Sequence, residues 1–370
     1  MKRIAGIFRS QPVLCISFIA ALITMFVVPP DGEYIGYINK TVLIQLFSLM
    51  AAVAGLRSAG IFDKATAMMI RRTGNIRRLG LILILICYFS AMLVTNDVAL
   101  ITFVPLTLLI YSSIDDERSR ILTIVFETIA ANMGSMMTPV GNPQNLYLYD
   151  KYKLTALDFI KTALPAGLLS LGCLVVLTLM LPKTSCRASE EKPQETDIKK
   201  ALVFAGLFIF CLLCVFRIVP DYICLIASIA AVLICDRRLL KTVDYPLLGT
   251  FVCFFVFVGN IARIEAVSSF FSGILTGREL IVSALLSQVI SNVPAAVMLS
   301  GFTDSGKALL IGVNIGGLGT IIASLASLIS FQFYRKAEGA RSGRYMAAFS
   351  VIGFAMLILL LIFEAIIMKI

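Results

Sequence analysis

Two short polar triplets stand inside long apolar runs. Thr95-Asn96-Asp97 interrupts the run 79–113, and Ser291-Asn292-Val293 interrupts the run 280–302. A side-chain amide both donates and accepts, so Asn96 and Asn292 can grip the oxygens of an anion or cap nearby backbone. Thr95 and Ser291 add a hydroxyl each. Asp97 is an acid in apolar surroundings, where an ionisable group is costly and marks an ion or proton path by default. Its structural alternative is to cap the helix that follows.

Each triplet is followed by a second polar break. The first is Thr138-Pro139-Val140-Gly141-Asn142-Pro143-Gln144-Asn145, and two prolines with a glycine between them cannot continue a helix. The second interrupts the run 309–334 with glycines and serines, among them Gly316, Thr320, Ser324 and Ser327. Neutral oxygens on Thr138, Asn142, Asn145, Asn314, Thr320, Ser324 and Ser327 suit a hard cation such as sodium. Capping frayed helix ends is the bland use of the same side chains. Glu127, ahead of the first break, is a weaker candidate: a proton site facing an inner vestibule, a buried paired acid, or an acid simply exposed to the cytoplasmic cavity.

The elements that must position these residues follow from composition. Of 370 residues, 59% are hydrophobic and 15% charged, against roughly a quarter charged in soluble domains. Runs such as 12–30 and 346–368 approach the roughly 20 residues that cross a bilayer as a helix. Backbone cannot be left unpaired in hydrocarbon, so the runs are helical. The fold class expected is an all-α polytopic membrane protein. The net charge of +10 sits in short loops between apolar runs rather than on one soluble domain, which argues against a nucleic-acid partner. Nine cysteines lie mostly inside apolar runs without metal-knuckle spacing, and histidine is absent.

Most of the basic residues, 23 of 32, fall on 1–10, 57–78, 115–120, 183–200, 236–241 and 335–344. By the positive-inside rule these are cytoplasmic, which puts the N-terminus inside and the C-terminus outside an inner, plasma membrane. The organisation expected is a first span with its outer loop (1–40), a first repeat (41–182), a cytoplasmic linker (183–200), two bridging spans (201–243) and a second repeat (244–370). The stretch 57–78 reads as an interfacial amphipathic helix. A polar triplet at the centre of one very long span is untenable, so each triplet is placed at the tip of a re-entrant helical hairpin. Each second break makes a discontinuous transmembrane helix.

The two halves align in motif order. Thr95-Asn96 matches Ser291-Asn292, Asn132-Met133-Gly134 matches Asn314-Ile315-Gly316, and Thr138 matches Thr320. Asn142 then matches Ser324, and Asn145 matches Ser327. The loop charges turn the hairpins toward opposite faces, so the repeats are inverted. Inverted repeats with broken helices meeting at mid-membrane are a recurrent design of secondary transporters.

At these residues the chain resembles the ion transporter superfamily. That superfamily includes divalent-anion/sodium symporters, citrate transporters, arsenite permeases and one class of sodium/proton antiporters. The resemblance covers about 41–370. It implies a substrate site lined by Thr95, Asn96, Ser291 and Asn292, with Asn142 and Thr320 beside it and Thr138, Asn145, Ser324 and Ser327 coordinating a cation. The residues' own chemistry adds Asp97 to the substrate site and to ion coupling, Asn314 to ion coupling, and Glu127 as the weaker addition. The symporters carry Ser-Asn-Thr at each tip, whereas Asp97 and Val293 hold the third positions here, nearer the arsenite permease and antiporter branches. Dimerisation is common among the symporters resembled. The function expected is secondary active transport of a small citrate-like or dicarboxylate anion or an oxyanion, coupled to sodium or protons. Arsenite efflux and sodium/proton exchange are the alternatives. No cofactor is expected beyond the coupling ion.

Other classes fit less well. No P-loop for an ATP-driven pump occurs. No nucleophile elbow or zinc-protease motif for an intramembrane enzyme occurs either. A channel calls for a continuous polar pore rather than two opposed hairpins.

Overall fold

A computed structural model describes residues 11–61, 74–112, 114, 116–185 and 196–369. Among these the chain is helical, and its only β-type pairing is an isolated bridge between Asn75 and Ser185. Among the described residues, six helices are long and apolar enough to cross a membrane, or seven if the bent pair Glu265–Leu275 and Glu279–Ile290 is one span. The central part of the expected amphipathic helix, 62–73, and the central part of the linker, 186–195, lie outside the described residues.

The order begins with α1 (Pro12–Val27), the short α2 (Tyr34–Tyr37) and α3 (Lys40–Ser58). The first hairpin is α4 (Ile76–Val94) and α5 (Asn96–Ser112). It is followed by α6 (Glu117–Ser135), the first break, α7 (Pro143–Lys151) and α8 (Ala156–Leu177). Two helices, α9 (Ile198–Val215) and α10 (Asp221–Cys235), join the halves. The second half has α11 (Tyr245–Ala262), α12 (Glu265–Leu275) and the hairpin of α13 (Glu279–Ile290) and α14 (Asn292–Leu299). Then come α15 (Gly306–Ile315), the second break, α16 (Leu325–Lys336) and α17 (Ser342–Met368).

Local chemistry sets many of the starts. Asn39, Asn75, Asp116, Thr155, Asp197 and Asp244 each accept a backbone N–H from the first turn of the helix they precede. Asn142 caps α7 in the same way, with Pro143 at the first position, where its missing N–H is harmless. Hence the proline pair ends one half-helix and starts the next. The helices at the centre are buried all round. Every residue of α6 from Ile121 to Ser135 is buried, as is all of α15 except Lys307. By contrast α8 and α17 keep large apolar side chains such as Leu168, Val176, Ile358 and Ile366 exposed, as lipid-facing helices do.

The hairpin bases lie at opposite ends of α8. At its C-terminal end, Ile76 N–H donates to Thr184 and Arg77 N–H to Pro182, at the root of α4. At its N-terminal end, the Tyr152 hydroxyl donates to the carbonyl of Thr303, at the root of the second hairpin. The first hairpin is also the longer one. Its arm α4 has 19 residues, about 28 Å at 1.5 Å per residue, whereas α13 has 12 residues and α14 has 8. The tips therefore meet nearer the face from which the second hairpin enters.

Candidate functional site

The two hairpin tips share one backbone conformation. Thr95 sits at φ 77°, ψ 153° and Ser291 at φ 74°, ψ 157°. This is a region essentially reserved for glycine, costing about 1–3 kcal/mol for any other residue. The sharp reversal lets each helix pair double back. Asn96 and Asn292 each accept the next residue's N–H through their own Oδ1, at 3.0 and 2.9 Å. Their remaining polar atoms are thereby turned inward. Asn96 N–H also donates to Gly141 O at 3.1 Å, which ties the first tip to the first break.

Beneath the tips lies a buried amide and hydroxyl network that crosses between halves. Asn132 donates to Ser327 Oγ at 3.0 Å and accepts from Ser324 Oγ at 2.9 Å. In the reverse sense, Asn314 Oδ1 accepts from Asn142 at 3.0 Å, and Asn314 Nδ2 donates to Asn145 Oδ1 at 2.7 Å. Each asparagine that precedes a break therefore binds the two polar residues of the opposite break. Asn96 joins by donating to Asn132 Oδ1 at 3.0 Å. Asn292 approaches from the other side, with its Nδ2 packed against Gly317. Such exchanged pairing is what a two-fold relation between the halves produces.

The correspondence extends into the packing. A Cβ on Gly134 would meet the backbone oxygen of Tyr88 at 2.0 Å, and one on Gly316 would meet the Cα of Ala284 at 2.8 Å. Tyr88 and Ala284 stand equally far along the chain from their tips. Thr138 donates its hydroxyl to Met92 O, and Thr320 donates to Gln288 O at 3.1 Å. Met92 and Gln288 are likewise equivalent. Helix and hairpin thus approach at glycine in both halves, and a threonine fastens each break to the hairpin arm.

Several sequence candidates have duties in the scaffold. Asn145 Nδ2 donates to the carbonyls of Ser135, Met136 and Thr138, satisfying the frayed end of α6. Thr320 takes its backbone partner from Gln288 Oε1 at 3.0 Å. Glu127 does not line a vestibule. It is fully buried in α6, with Oε1 accepting from Thr107 at 2.6 Å. Sequence reading omitted Asn132 from the site, although its match with Asn314 marks it. Gln288 carried no sequence signal, because its counterpart in the first half is the apolar Met92.

A cavity of about 980 Å³ opens below the first tip. Thr95, Asp97 and Asn142 line it together with Arg57, Asp244 and Phe333. Asp97 is half-buried here, not folded back as a helix cap. The Arg57 guanidinium donates to the carbonyl of Ile101 in the hairpin arm, so this arginine is part of the cavity wall. Tyr147 packs on Phe251 and Phe255 and pairs with the Ser300 hydroxyl at 2.8 Å. Nearby Arg263 bonds Asp31 at 2.8 Å, and the hydrogen bond from Arg263 holds the Asp31 carboxyl below its ordinary value.

The family model for the citrate transporter family matches residues 4–306. An uncharacterized transporter of Methanocaldococcus jannaschii is 34% identical over 333 residues, covering 88% of this chain and 89% of the relative. The inner membrane protein YbiR of Escherichia coli is 31% identical over 300 residues, 78% of each chain. The silicon efflux transporter LSI3 of rice is 26% identical over 183 residues, 48% of this chain and 37% of the relative. With that match over most of its length, the chain is a multi-pass membrane protein that belongs to the citrate transporter family.

Proposed function

We propose that this chain is a secondary active transporter that carries a small oxygen-rich solute by alternating access. The solute site lies between the two hairpin tips. Thr95, Asn96, Ser291 and Asn292 face the solute, with Asn142 and Thr320 at the flanks. Asp97 holds the coupling ion, sodium or a proton, at the inner end of the cavity. Thr138, Asn145, Asn314, Ser324 and Ser327 shape the breaks on which the tips rest. The exchanged pairing of Asn132 and Asn314 with the opposite breaks is the observation that carries this reading. It supports two inverted repeats, and inverted repeats supply the two equivalent states that alternating access needs. With the cytoplasmic face assigned from the loop charges, the arrangement described is open inward in a plasma membrane.

Citrate-like anions and other oxyanions are the first substrates to test, on the family relation. A second reading is efflux of an uncharged hydroxylated oxyacid. The acids Asp97 and Asp244, facing one cavity with Arg57, favour it because they would repel a multivalent anion. The kinship with a silicon efflux transporter adds to that reading.

The test is counterflow in proteoliposomes with labelled citrate, arsenite and silicic acid, each with and without sodium. Saturable exchange of labelled for unlabelled solute is expected of a carrier. Ionic current without any exchange would replace the carrier reading by a channel.

A further inference from the structure

The buried acid behind the first hairpin plays no part in the cavity. Glu127 is 0% exposed. Oε1 accepts from the Thr107 hydroxyl on α5 at 2.6 Å, and Oε2 has no hydrogen-bond partner. Among the described residues, no cationic group is paired with it. Cys87 on α4 and Tyr345 on α17 are the titratable groups that face it. Tyr345 is bonded to Ser330 at 3.0 Å and stacked on Tyr334 of α16, and Tyr111 of α5 pairs with Thr123 at 2.8 Å. None of these side chains is a cation. Arg120, two turns ahead of Glu127 on α6, points elsewhere. Its guanidinium donates to the carbonyls of Glu338 and Gly339 and lies over the Tyr334 ring. Glu117, further out, is held by Arg341 at 2.8 Å.

An isolated carboxylate with one bare oxygen in an apolar bundle costs several kcal/mol. A carboxylic acid costs far less in the same place, because one unpaired buried hydroxyl is much cheaper than an unpaired buried charge. We infer that Glu127 is a proton-binding site, occupied in this conformation, whose proton locks the first hairpin against α6. The ligand is a single proton, taken from and returned to water. The lock works through α5, which carries Thr107 in its middle and Asn96 with Asp97 at its start. Loss of the proton leaves a bare carboxylate, and that charge can be relieved only if α5 withdraws and admits water. Proton release at Glu127 is thereby tied to movement of the tip that holds solute. This rests on the carrier reading for its purpose. The proton and the lock can be tested without any solute.

Two measurements on the full chain in lipid decide it. The first is infrared spectroscopy in H2O and D2O, comparing the protein with Glu127→Gln. A carbonyl band of a protonated carboxylic acid is expected at neutral pH and absent from Glu127→Gln, a variant that preserves shape and can still pair with Thr107. No band difference between the two would mean an ionised Glu127 and overturn the inference. The second measures maleimide labelling at Thr102→Cys, a position on the cavity side of α5, corrected for the same protein without that change. The labelling rate, normalised to a free thiol at each pH, is expected to change severalfold as pH rises. That change should be lost when Glu127→Gln is added, since glutamine cannot release a proton. A pH response unaltered by Glu127→Gln would overturn the lock. Should Glu127→Gln not fold, Thr107→Val is compared instead, and an unshifted acid band there would count equally against the site. Failure of these measurements would leave counterflow, and so the carrier reading, untouched.

Discussion

The amide of Asn142, in the first break, donates to Asn314 Oδ1 of the second half at 3.0 Å. Both are buried, so the bond joins the halves where water is excluded. Removing one partner leaves the other unsatisfied and costs about 1–3 kcal/mol. Asn142→Ala and Asn314→Ala are therefore each destabilising. Together they should cost less than their sum, by about 0.5–1.5 kcal/mol, since residues in contact couple. Equilibrium unfolding in detergent measures the cycle. Strict additivity would mean that the bond contributes nothing across the halves.

Asp97→Asn separates folding from coupling. Its carboxyl lies at the cavity and caps no helix, so the change should alter stability by less than about 0.5 kcal/mol. Solute exchange should persist, while uptake driven by a sodium or pH gradient is lost. Gradient-driven uptake at the wild-type rate in this variant would remove Asp97 from ion coupling.

The strained tips predict opposite effects on stability and transport. Thr95→Gly relieves a backbone conformation that costs about 1–3 kcal/mol, so the unfolding midpoint should rise. The same change deletes a hydroxyl that lines the cavity. Apparent solute affinity should fall by about fivefold, the equivalent of one hydrogen bond. A lower midpoint would show that the hydroxyl holds the tip together more than the backbone strains it.

Gly134 has no room for a methyl group. Its Cβ would stand 2.0 Å from the Tyr88 carbonyl oxygen, an atom of helical backbone that cannot step aside. Gly134→Ala should destabilise by about 2–3 kcal/mol, and Gly316→Ala, with its nearest contact at 2.8 Å, by less. Thermal unfolding of both variants checks the order. Equal costs would mean that the two hairpins pack against their partner helices alike.

The Asp31 carboxyl is lowered by its hydrogen bond from Arg263. A group with a depressed folded value stabilises above its unfolded value, near 4, and loses that contribution as pH falls through the folded value. Asp31→Asn should therefore melt below wild type at pH 6, and the two should converge in acid. The pair is partly exposed, at 35% for Arg263 and 40% for Asp31, so the difference should also shrink in high salt. A gap that persists at low pH would assign the effect to packing instead.

The sequence alone determined the helices, their approximate ends and the positions of both tips. Apolar runs too long for one span, broken by Thr95-Asn96-Asp97 and Ser291-Asn292, allow no other solution in lipid, because bare backbone there is too costly. Repetition also marked Asn142, Asn145, Ser324 and Ser327 as partners in one design. Partner choice was left to the tertiary structure. Local spacing cannot reveal that Asn132 binds Ser324 and Ser327 rather than its own break, since that depends on how two distant segments cross. Gln288 stayed hidden because its role comes from the space beside Gly319, not from a motif. Glu127 could be read as facing a vestibule or as buried. Only the packing of α4, α5 and α17 around α6 put it behind the hairpin, where, among the described residues, no cation pairs with it.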